Sequence, residues 1–129
     1  MNKLKSIFFP KSIAVAGASA APGKAGERRT RSLLESGFDG DIYLVNPKRD
    51  YVYGRPCYKS VADIEGRVDL VLVVVPPKFI VPTLSEAVEK GAKGAVIITA
   101  GFSNTDEKGY HLNQEILRVA RQGGMRIIG

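Results

Sequence analysis

The sequence predicts a single doubly wound α/β domain built on a parallel β-sheet. Its 129 residues alternate short apolar segments with segments whose apolar residues recur at helical spacing, and this alternation is typical of right-handed βαβ units. The apolar run DLVLVVV at 69–75 favours a strand that is covered on both faces. A chain of this length buries about two-thirds of the surface that its unfolded form exposes, which suits one domain.

The first part of the chain predicts a strand, a helix and a second strand. The continuous apolar run 13–16 predicts the first strand, and DIYLV at 41–45 predicts the second. Between them, small or apolar residues recur at helical spacing from Gly26 onwards, and Gly37 ends the helix.

Two segments are less regular. Residues 50–60 have no clean period, so we expect a connection with at most a short edge strand at 57–59, followed by a helical turn at 61–64. In the lead-in segment before the first strand, Phe8 and Phe9 are expected to pack onto the domain.

The second half predicts three strands and two helices. Thr105 or Asp106 is the expected N-cap of the last helix, and Pro82 is compatible with the preceding helix because it falls in the first turn. The predicted bounds are 69–75, 95–99 and 125–128 for the strands, 78–90 for the first helix, and a last helix that Gly123 and Gly124 close.

Composition narrows the classes of partner. The net charge of +6 favours anionic ligands, but the Lys and Arg residues are scattered and form no aromatic-interleaved patch, so nucleic acid is not predicted. No apolar run approaches the length of a membrane span, and the N-terminus lacks a secretory pattern, so we expect a cytoplasmic protein with no membrane partner. The single cysteine offers neither a disulfide nor a metal framework.

The predicted ligand site lies at the carboxyl ends of the strands, in the loops after Ala16, Val45, Val75 and Thr99. The first of these loops carries glycines at positions 17, 23 and 26 and leads into a helix whose N–H groups attract anions. It departs from the dinucleotide pattern G-x-G-x-x-G because a serine replaces the second glycine and the loop is longer. A turn that only packs helix against strand remains the alternative.

The loop after the second strand has a basic end. An NAD site would carry an Asp or Glu here, whereas this chain has Asn46, Pro47, Lys48 and Arg49. The charge predicts a nucleotide whose ribose bears a phosphate, either NADP or coenzyme A. A solvated Lys-Arg pair is the alternative.

Six segments carry a resemblance that extends over nearly the whole chain. They are LKSIFFPKSIAVAGAS, PGKAG, YLVNPK, VDLVLVVVP, EKGAKGAVIITAGF and RIIG. In this order they resemble the CoA-binding domain of the NDP-forming acyl-CoA synthetases and, more distantly, the α subunit of succinyl-CoA synthetase. The resemblance implies a Rossmann-like domain over 1–129 that forms the N-terminal part of a longer enzyme.

The same resemblance implies a ligand and partners. Coenzyme A or an acyl-CoA would bind in the predicted loops, while the catalytic histidine and an ATP-grasp domain or subunit would lie outside this chain; a homo-oligomer stays open. The expected contacts are, for the CoA phosphates, Gly17, Ser19, Ala20, Ala21, Pro22, Gly23 and Lys24; for the nucleotide end, Lys48; for adenine or pantetheine, Val75 and Pro76; and, for the pantetheine arm, Ile98, Thr99 and Ala100.

No residue of the chain is predicted to be catalytic. His111 lies among charged residues of a predicted helix, and Cys57 has no histidine nearby in the sequence. Two other functions remain possible at this stage: a CoA-responsive module, either alone or in front of a lysine acetyltransferase, and an NADP-binding oxidoreductase domain. The second of these would need a substrate domain that the chain lacks.

Overall fold

The computed structural model describes residues 7–98 and 107–128. Within these ranges the chain forms a sheet of seven strands and three α-helices. The strands are β1 Ser12–Ala16, β2 Asp41–Val45, β3 Tyr51–Val52, β4 Arg55–Tyr58, β5 Leu70–Val73, β6 Gly94–Ile97 and β7 Arg126–Ile128. The helices are α1 Ala25–Glu35, α2 Ile80–Glu89 and α3 Glu107–Gly123, and single 3₁₀ turns cover Val61–Asp63 and Pro77–Phe79.

The sheet is wound in two directions from its centre. The strand order is β3-β4-β2-β1-β5-β6-β7, and every described pair is parallel except the pair of β3 with β4. The chain runs outward from β1 to one edge and then returns beside β1 as β5. The winding therefore reverses between β1 and β5, which is where ligands bind in sheets of this kind.

Strand β1 is buried on both faces, as the sequence predicted. Because side chains alternate along a strand, Ala14 and Ala16 belong to the core beneath α2 and α3, whereas Val15 belongs to a smaller core on the other face. Leu33 of α1 packs against that smaller core. The doubly wound α/β fold is confirmed.

The structure corrects the prediction for residues 50–60. Instead of a connection with one short edge strand, the segment forms a hairpin of β3 and β4, and β4 pairs in parallel with β2. The two turn residues, Tyr53 and Gly54, have φ values of 52° and 73°, which suits the tight turn that matches strand twist. The sequence hid this hairpin because tyrosine stands where Asn, Asp or Gly normally signals such a turn.

The expectation for Phe8 and Phe9 is wrong. Their exposed fractions are 70% and 75%, and Ile7 is the buried residue of this segment, next to Gly94. The predictions for Thr99, Ala100, Thr105 and Asp106 lie outside the described residues.

The predicted 69–75 strand ends sooner, at Val73, although the Val74 N–H still donates to the Ala16 carbonyl at 2.8 Å. In the part of the chain that the structure describes, no helix combines the length and the apolar character needed to span a bilayer.

Candidate functional site

A cleft of about 680 Å³ opens at the carboxyl edge of the sheet, at the reversal between β1 and β5. Its volume lies within the range of small-molecule sites. The lining residues come from the loops after β1, β2, β4 and β5, from the first turn of α1 and from the first two turns of α2. They are Ala16, Gly17, Ser19, Ala21, Lys24, Ala25, Gly26, Val45, Asn46, Pro47, Lys48, Arg49, Lys59, Ser60, Val61, Val74, Val75, Pro76, Phe79, Pro82, Thr83 and Glu86.

Two glycines allow close backbone contacts at the floor of the cleft, one between the loops after β1 and β5 and one between α1 and the end of β1. Gly17 has φ of 94°, and a Cβ there would lie 2.0 Å from the Val74 carbonyl oxygen. A Cβ on Gly26 would lie 2.0 Å from the carbonyl oxygen of Gly17. Only glycine fits these contacts, because a side chain would displace backbone in both cases.

Ser19 replaces the second glycine of the dinucleotide pattern and shapes the loop through its side chain. Its hydroxyl accepts a hydrogen bond from the Ala21 N–H at 2.9 Å. Its own N–H donates to Oγ1 of Thr30 at 3.3 Å, and that hydroxyl donates to the Gly26 carbonyl at 2.6 Å. The loop is thus tied to buried Thr30 of α1 rather than shaped by glycine alone.

The start of α1 offers an anion site. Ala25 and Gly26, its first two residues, line the cleft, and the N-cap residue Lys24 makes no side-chain cap bond. N–H groups at a helix start have no partner within the helix and carry a partial positive charge. Lys24 also lines the cleft and carries a full positive charge, so a phosphate group suits this place.

The loop after β2 is bonded to the loop after β1. Nδ2 of Asn46 donates to the Ala18 carbonyl at 2.8 Å, and its Oδ1 accepts a hydrogen bond from the Lys48 N–H at 2.9 Å. The N–H groups of Gly17 and Ala18 both donate to the Val45 carbonyl, at 2.9 and 3.1 Å. The glycine loop, residues 17–24, and the basic turn, residues 46–49, therefore form one hydrogen-bonded unit.

Positive charge dominates the cleft. Its lining includes Lys24, Lys48, Arg49 and Lys59, against one carboxylate, that of Glu86, among the described residues. Glu86 Oε1 is engaged, since it accepts a hydrogen bond from the Ala62 N–H at 3.2 Å. The balance favours a ligand that carries several negative charges.

The wall that β5 and α2 supply is mostly apolar. It contains Val74, Val75, Pro76, Phe79 and Pro82. This wall suits an aromatic ring or a flexible arm of low charge. The cleft can thus hold a molecule with a polyanionic end and an apolar end.

The structure places the predicted contact residues in three groups. Seven line the cleft, namely Gly17, Ser19, Ala21, Lys24, Lys48, Val75 and Pro76. Ala20, Pro22 and Gly23 lie on the same loop without lining it, and half-buried Ile98 lies at the end of β6, where its N–H donates to Val73 at 2.9 Å. Thr99 and Ala100 fall outside the described residues.

Several lining residues were not among the predicted contacts: Asn46, Arg49, Lys59, Phe79, Thr83 and Glu86. Arg49 and Asn46 adjoin Lys48, so the charge of the turn pointed to them. Lys59 had no signal, because its position depends on β4, which the sequence did not predict as a strand parallel to β2.

Three titratable side chains, those of His111, Cys57 and Asp69, do not line the cleft. His111 is exposed and lies 3.8 Å from Glu107. Burial raises the pKa of the Cys57 thiol, an effect that the backbone N–H of Asn46 partly offsets. The buried carboxylate of Asp69 accepts a hydrogen bond from the Lys11 N–H at 2.8 Å and pairs with Arg67. In residues 7–98 and 107–128 no three His, Cys, Asp or Glu residues form a group that could hold a metal ion.

Comparison with known proteins identifies the polyanionic ligand. A sequence-family model described as "CoA binding domain" matches residues 11–129. The chain belongs to this family of CoA-binding domains. The choice between NADP and coenzyme A that the basic turn left open is therefore settled in favour of coenzyme A.

Two curated relatives of the CoA-binding domain carry the name of a ligase. It is 42% identical over 126 residues to "Acetate--CoA ligase [ADP-forming] II" of Archaeoglobus fulgidus, covering 98% of this chain and 19% of the relative. It is 48% identical over 126 residues to "Acetate--CoA ligase [ADP-forming] II subunit alpha" of Pyrococcus furiosus, again covering 98% of this chain and 27% of the relative. The chain thus spans about a fifth to a quarter of the length of these relatives.

Two solved structures that resemble the CoA-binding domain differ in how much of their own length the match covers. A Ca. Korarchaeum cryptofilum dinucleotide forming acetyl-coenzyme A synthetase 1, in complex with phosphate and ADP, is 38% identical with a TM-score of 0.90, covering 100% of this chain and 27% of that one. A hypothetical protein from Pyrococcus horikoshii OT3 is 28% identical with a TM-score of 0.73, covering 98% of this chain and 80% of that one. The fold occurs both within long chains and as most of a short one.

Proposed function

We propose that the chain is the N-terminal CoA-binding part of an ADP-forming acyl-CoA synthetase, an enzyme that interconverts acyl-CoA, ADP and phosphate with the free acid, CoA and ATP. The observation that carries the proposal is the cleft itself, in which the α1 start, a basic turn and an apolar wall follow one another. A diphosphate, a ribose phosphate and a pantetheine arm occur together in CoA. The relatives named above, ADP-forming ligases, support the class of reaction.

Each part of the cleft has a role in this proposal. The loop 17–24 and the start of α1 hold the diphosphate, because the N–H groups of the helix start and Lys24 supply positive charge on this side of the cleft. Lys48 contacts the ribose phosphate. Val75 and Pro76 border adenine or the pantetheine, and the arm continues along Ile98, Thr99 and Ala100.

Within this proposal the domain binds and positions, while other groups react. It holds CoA so that the thiol reaches a catalytic centre with a phosphorylatable histidine and an ATP-grasp domain, in the same polypeptide or in a second subunit. Since acyl-CoA metabolism of this kind uses cellular ADP and ATP, we place the protein in the cytoplasm.

Titration calorimetry with CoA, dephospho-CoA and NADPH tests the ligand assignment. We expect CoA to bind and NADPH to bind far more weakly; tight NADPH binding without a response to CoA would end the proposal. Lys48→Glu should weaken CoA much more than dephospho-CoA, because only CoA carries the ribose phosphate. The matched control is Lys108→Glu, the same change of charge at an exposed position of α3, which should leave both affinities unchanged.

A second candidate is a CoA-responsive module that acts through a partner without the synthetase domains. It is favoured by the hypothetical protein from Pyrococcus horikoshii OT3, 80% of which the match covers. The length of the native reading frame separates the two candidates. Several hundred further residues, or a neighbouring ATP-grasp subunit, would support the synthetase.

A further inference from the structure

Lys59 lies against the basic turn, although ten residues separate it in sequence from Lys48. It directly follows β4, which pairs in parallel with β2 through Leu44 opposite Cys57 and Val45 opposite Tyr58. Both strands therefore end at the same edge of the sheet. Nζ of Lys59 donates to the Arg49 carbonyl at 3.1 Å, so its ammonium touches the backbone of the turn.

The second partner of Lys59 is an exchangeable carboxylate. Nζ lies 2.7 Å from Oδ1 of Asp50, and the side chains are 51% and 80% exposed. Ion pairs this exposed contribute little to stability, because water and salt screen them. An ammonium has three N–H donors; two are used, and the third has no acceptor among the described residues.

The position of Lys59 matters because this residue lines the cleft together with Lys48 and Arg49. A phosphate monoester at the turn carries more charge than one carboxylate and offers three acceptor oxygens. It can therefore take the free N–H of Lys59 and compete with Asp50 for the second one.

We propose that Lys59 is a second cation for the ribose phosphate of CoA. In the absence of ligand, the Asp50 carboxylate holds Lys59 in place, and the phosphate replaces this carboxylate when CoA binds. This rests on the proposed function, since it assumes that CoA occupies the cleft with its ribose phosphate at the turn. The pair gives the site discrimination between CoA and its dephosphorylated form beyond what Lys48 supplies.

A purely structural role predicts a different pattern. If Lys59 only fastened the turn through Asp50 and Arg49, removing either charged side chain would loosen the turn, and both substitutions would weaken CoA. If Asp50 competes with the phosphate, its neutralisation strengthens CoA binding while loss of Lys59 weakens it. The two substitutions then act with opposite sign.

The test is titration calorimetry of CoA and dephospho-CoA at low ionic strength with the wild-type protein, Lys59→Gln, Asp50→Asn and Lys108→Gln. We expect Lys59→Gln to raise the Kd for CoA about tenfold, the scale of a hydrogen bond to a charged group, and to leave dephospho-CoA within about twofold. Asp50→Asn should lower the Kd for CoA about two- to threefold, with dephospho-CoA unchanged. Lys108→Gln, on α3, should change neither.

Two results would overturn the proposal. Weaker CoA binding by Asp50→Asn would show that the pair only fastens the turn, and equal effects of Lys59→Gln on the two ligands would show that Lys59 does not contact the ribose phosphate. In either case the proposed function stands if the wild-type protein binds CoA. A wild-type protein that binds neither ligand would overturn both.

Discussion

The side-chain amide of Asn46 donates a hydrogen bond to the Ala18 carbonyl at 2.8 Å, which joins the basic turn after β2 to the glycine loop after β1. Oδ1 of the same side chain accepts a hydrogen bond from the Lys48 N–H at 2.9 Å. One side chain thus sets the distance between the two places where phosphates are proposed to bind. Because both loops are held before the ligand arrives, less ordering is needed on binding.

Asn46→Ala should weaken CoA about tenfold and lower the free energy of unfolding by about 1 kcal/mol, since two hydrogen bonds are lost. Calorimetry and urea unfolding measure the two effects. A double-mutant cycle with Lys48→Ala gives the sharper result: the loss of Lys48 should cost less affinity once Asn46 is gone, because the turn is no longer positioned. Strictly additive effects would contradict the positioning role.

Alanine substitutions at two glycines of the first loop should destabilise the protein by different amounts, because the two positions have different surroundings. Gly17→Ala combines a φ of 94° with a Cβ only 2.0 Å from the Val74 carbonyl oxygen, so we expect a loss of ~3 kcal/mol or more in stability. Gly23→Ala is the control, because its φ of 84° is similar but nothing lies within 4 Å of the added Cβ. It should cost about 1 kcal/mol. Equal losses in urea unfolding would rule out close contact as the cause.

Thr30 supports the phosphate loop from beneath and is fully buried. Thr30→Val preserves the shape but leaves the Ser19 N–H without its acceptor, which should cost about 2 kcal/mol of stability and weaken CoA. Thr30→Ser keeps the hydroxyl and should cost about 1 kcal/mol through the lost methyl group, with CoA affinity retained. Unfolding and calorimetry on both variants decide this; equal CoA affinities would show that the hydroxyl does not support the loop.

The Cys57 thiol should react slowly with iodoacetamide while the protein is folded, because burial raises its pKa and the thiolate is the reactive form. Because the pKa of Cys57 is raised by folding, its neutral thiol contributes to the stability of the folded protein. This contribution is fully present below the pKa of the thiol in the unfolded chain and is lost as the pH rises through its pKa in the folded protein. Mass spectrometry of alkylation against pH, with the folded protein and with the chain in urea, measures the difference. A folded rate equal to the unfolded rate at neutral pH would contradict it, and Cys57→Ser is the blank.

Outside residues 50–60, the order of strands and helices was predictable because each signal is local. Apolar runs such as 69–75 and the helical spacing before Gly37 report burial within a few residues of chain. The ends were less predictable: β5 stops at Val73, since pairing with the last residue of β1, Ala16, limits its length.

The residues of the candidate site also fall into two groups, those that the sequence indicated and those that it did not. The glycine loop and Lys48 were visible as a motif and a charge, and both line the cleft. Lys59 and Glu86 were not visible. Lys59 reaches the cleft through the pairing of β4 with β2, which the sequence did not predict, and Glu86 reaches it through α2, which is distant in sequence from the first two loops. The prediction that Phe8 and Phe9 pack onto the domain was wrong, because both are exposed while their neighbour Ile7 is buried.

By itself the sequence determined the doubly wound class, the parallel sheet and a phosphate-attracting edge, because strand burial, helix periodicity and a glycine-rich turn are properties of neighbouring residues. Only the tertiary structure decided that the 51–58 hairpin brings Lys59 beside the turn after β2 and that Asn46 joins this turn to the first loop. Those contacts depend on which strands pair and in what register. Pairing is set by the packing of the whole sheet, and no single segment of the chain encodes it.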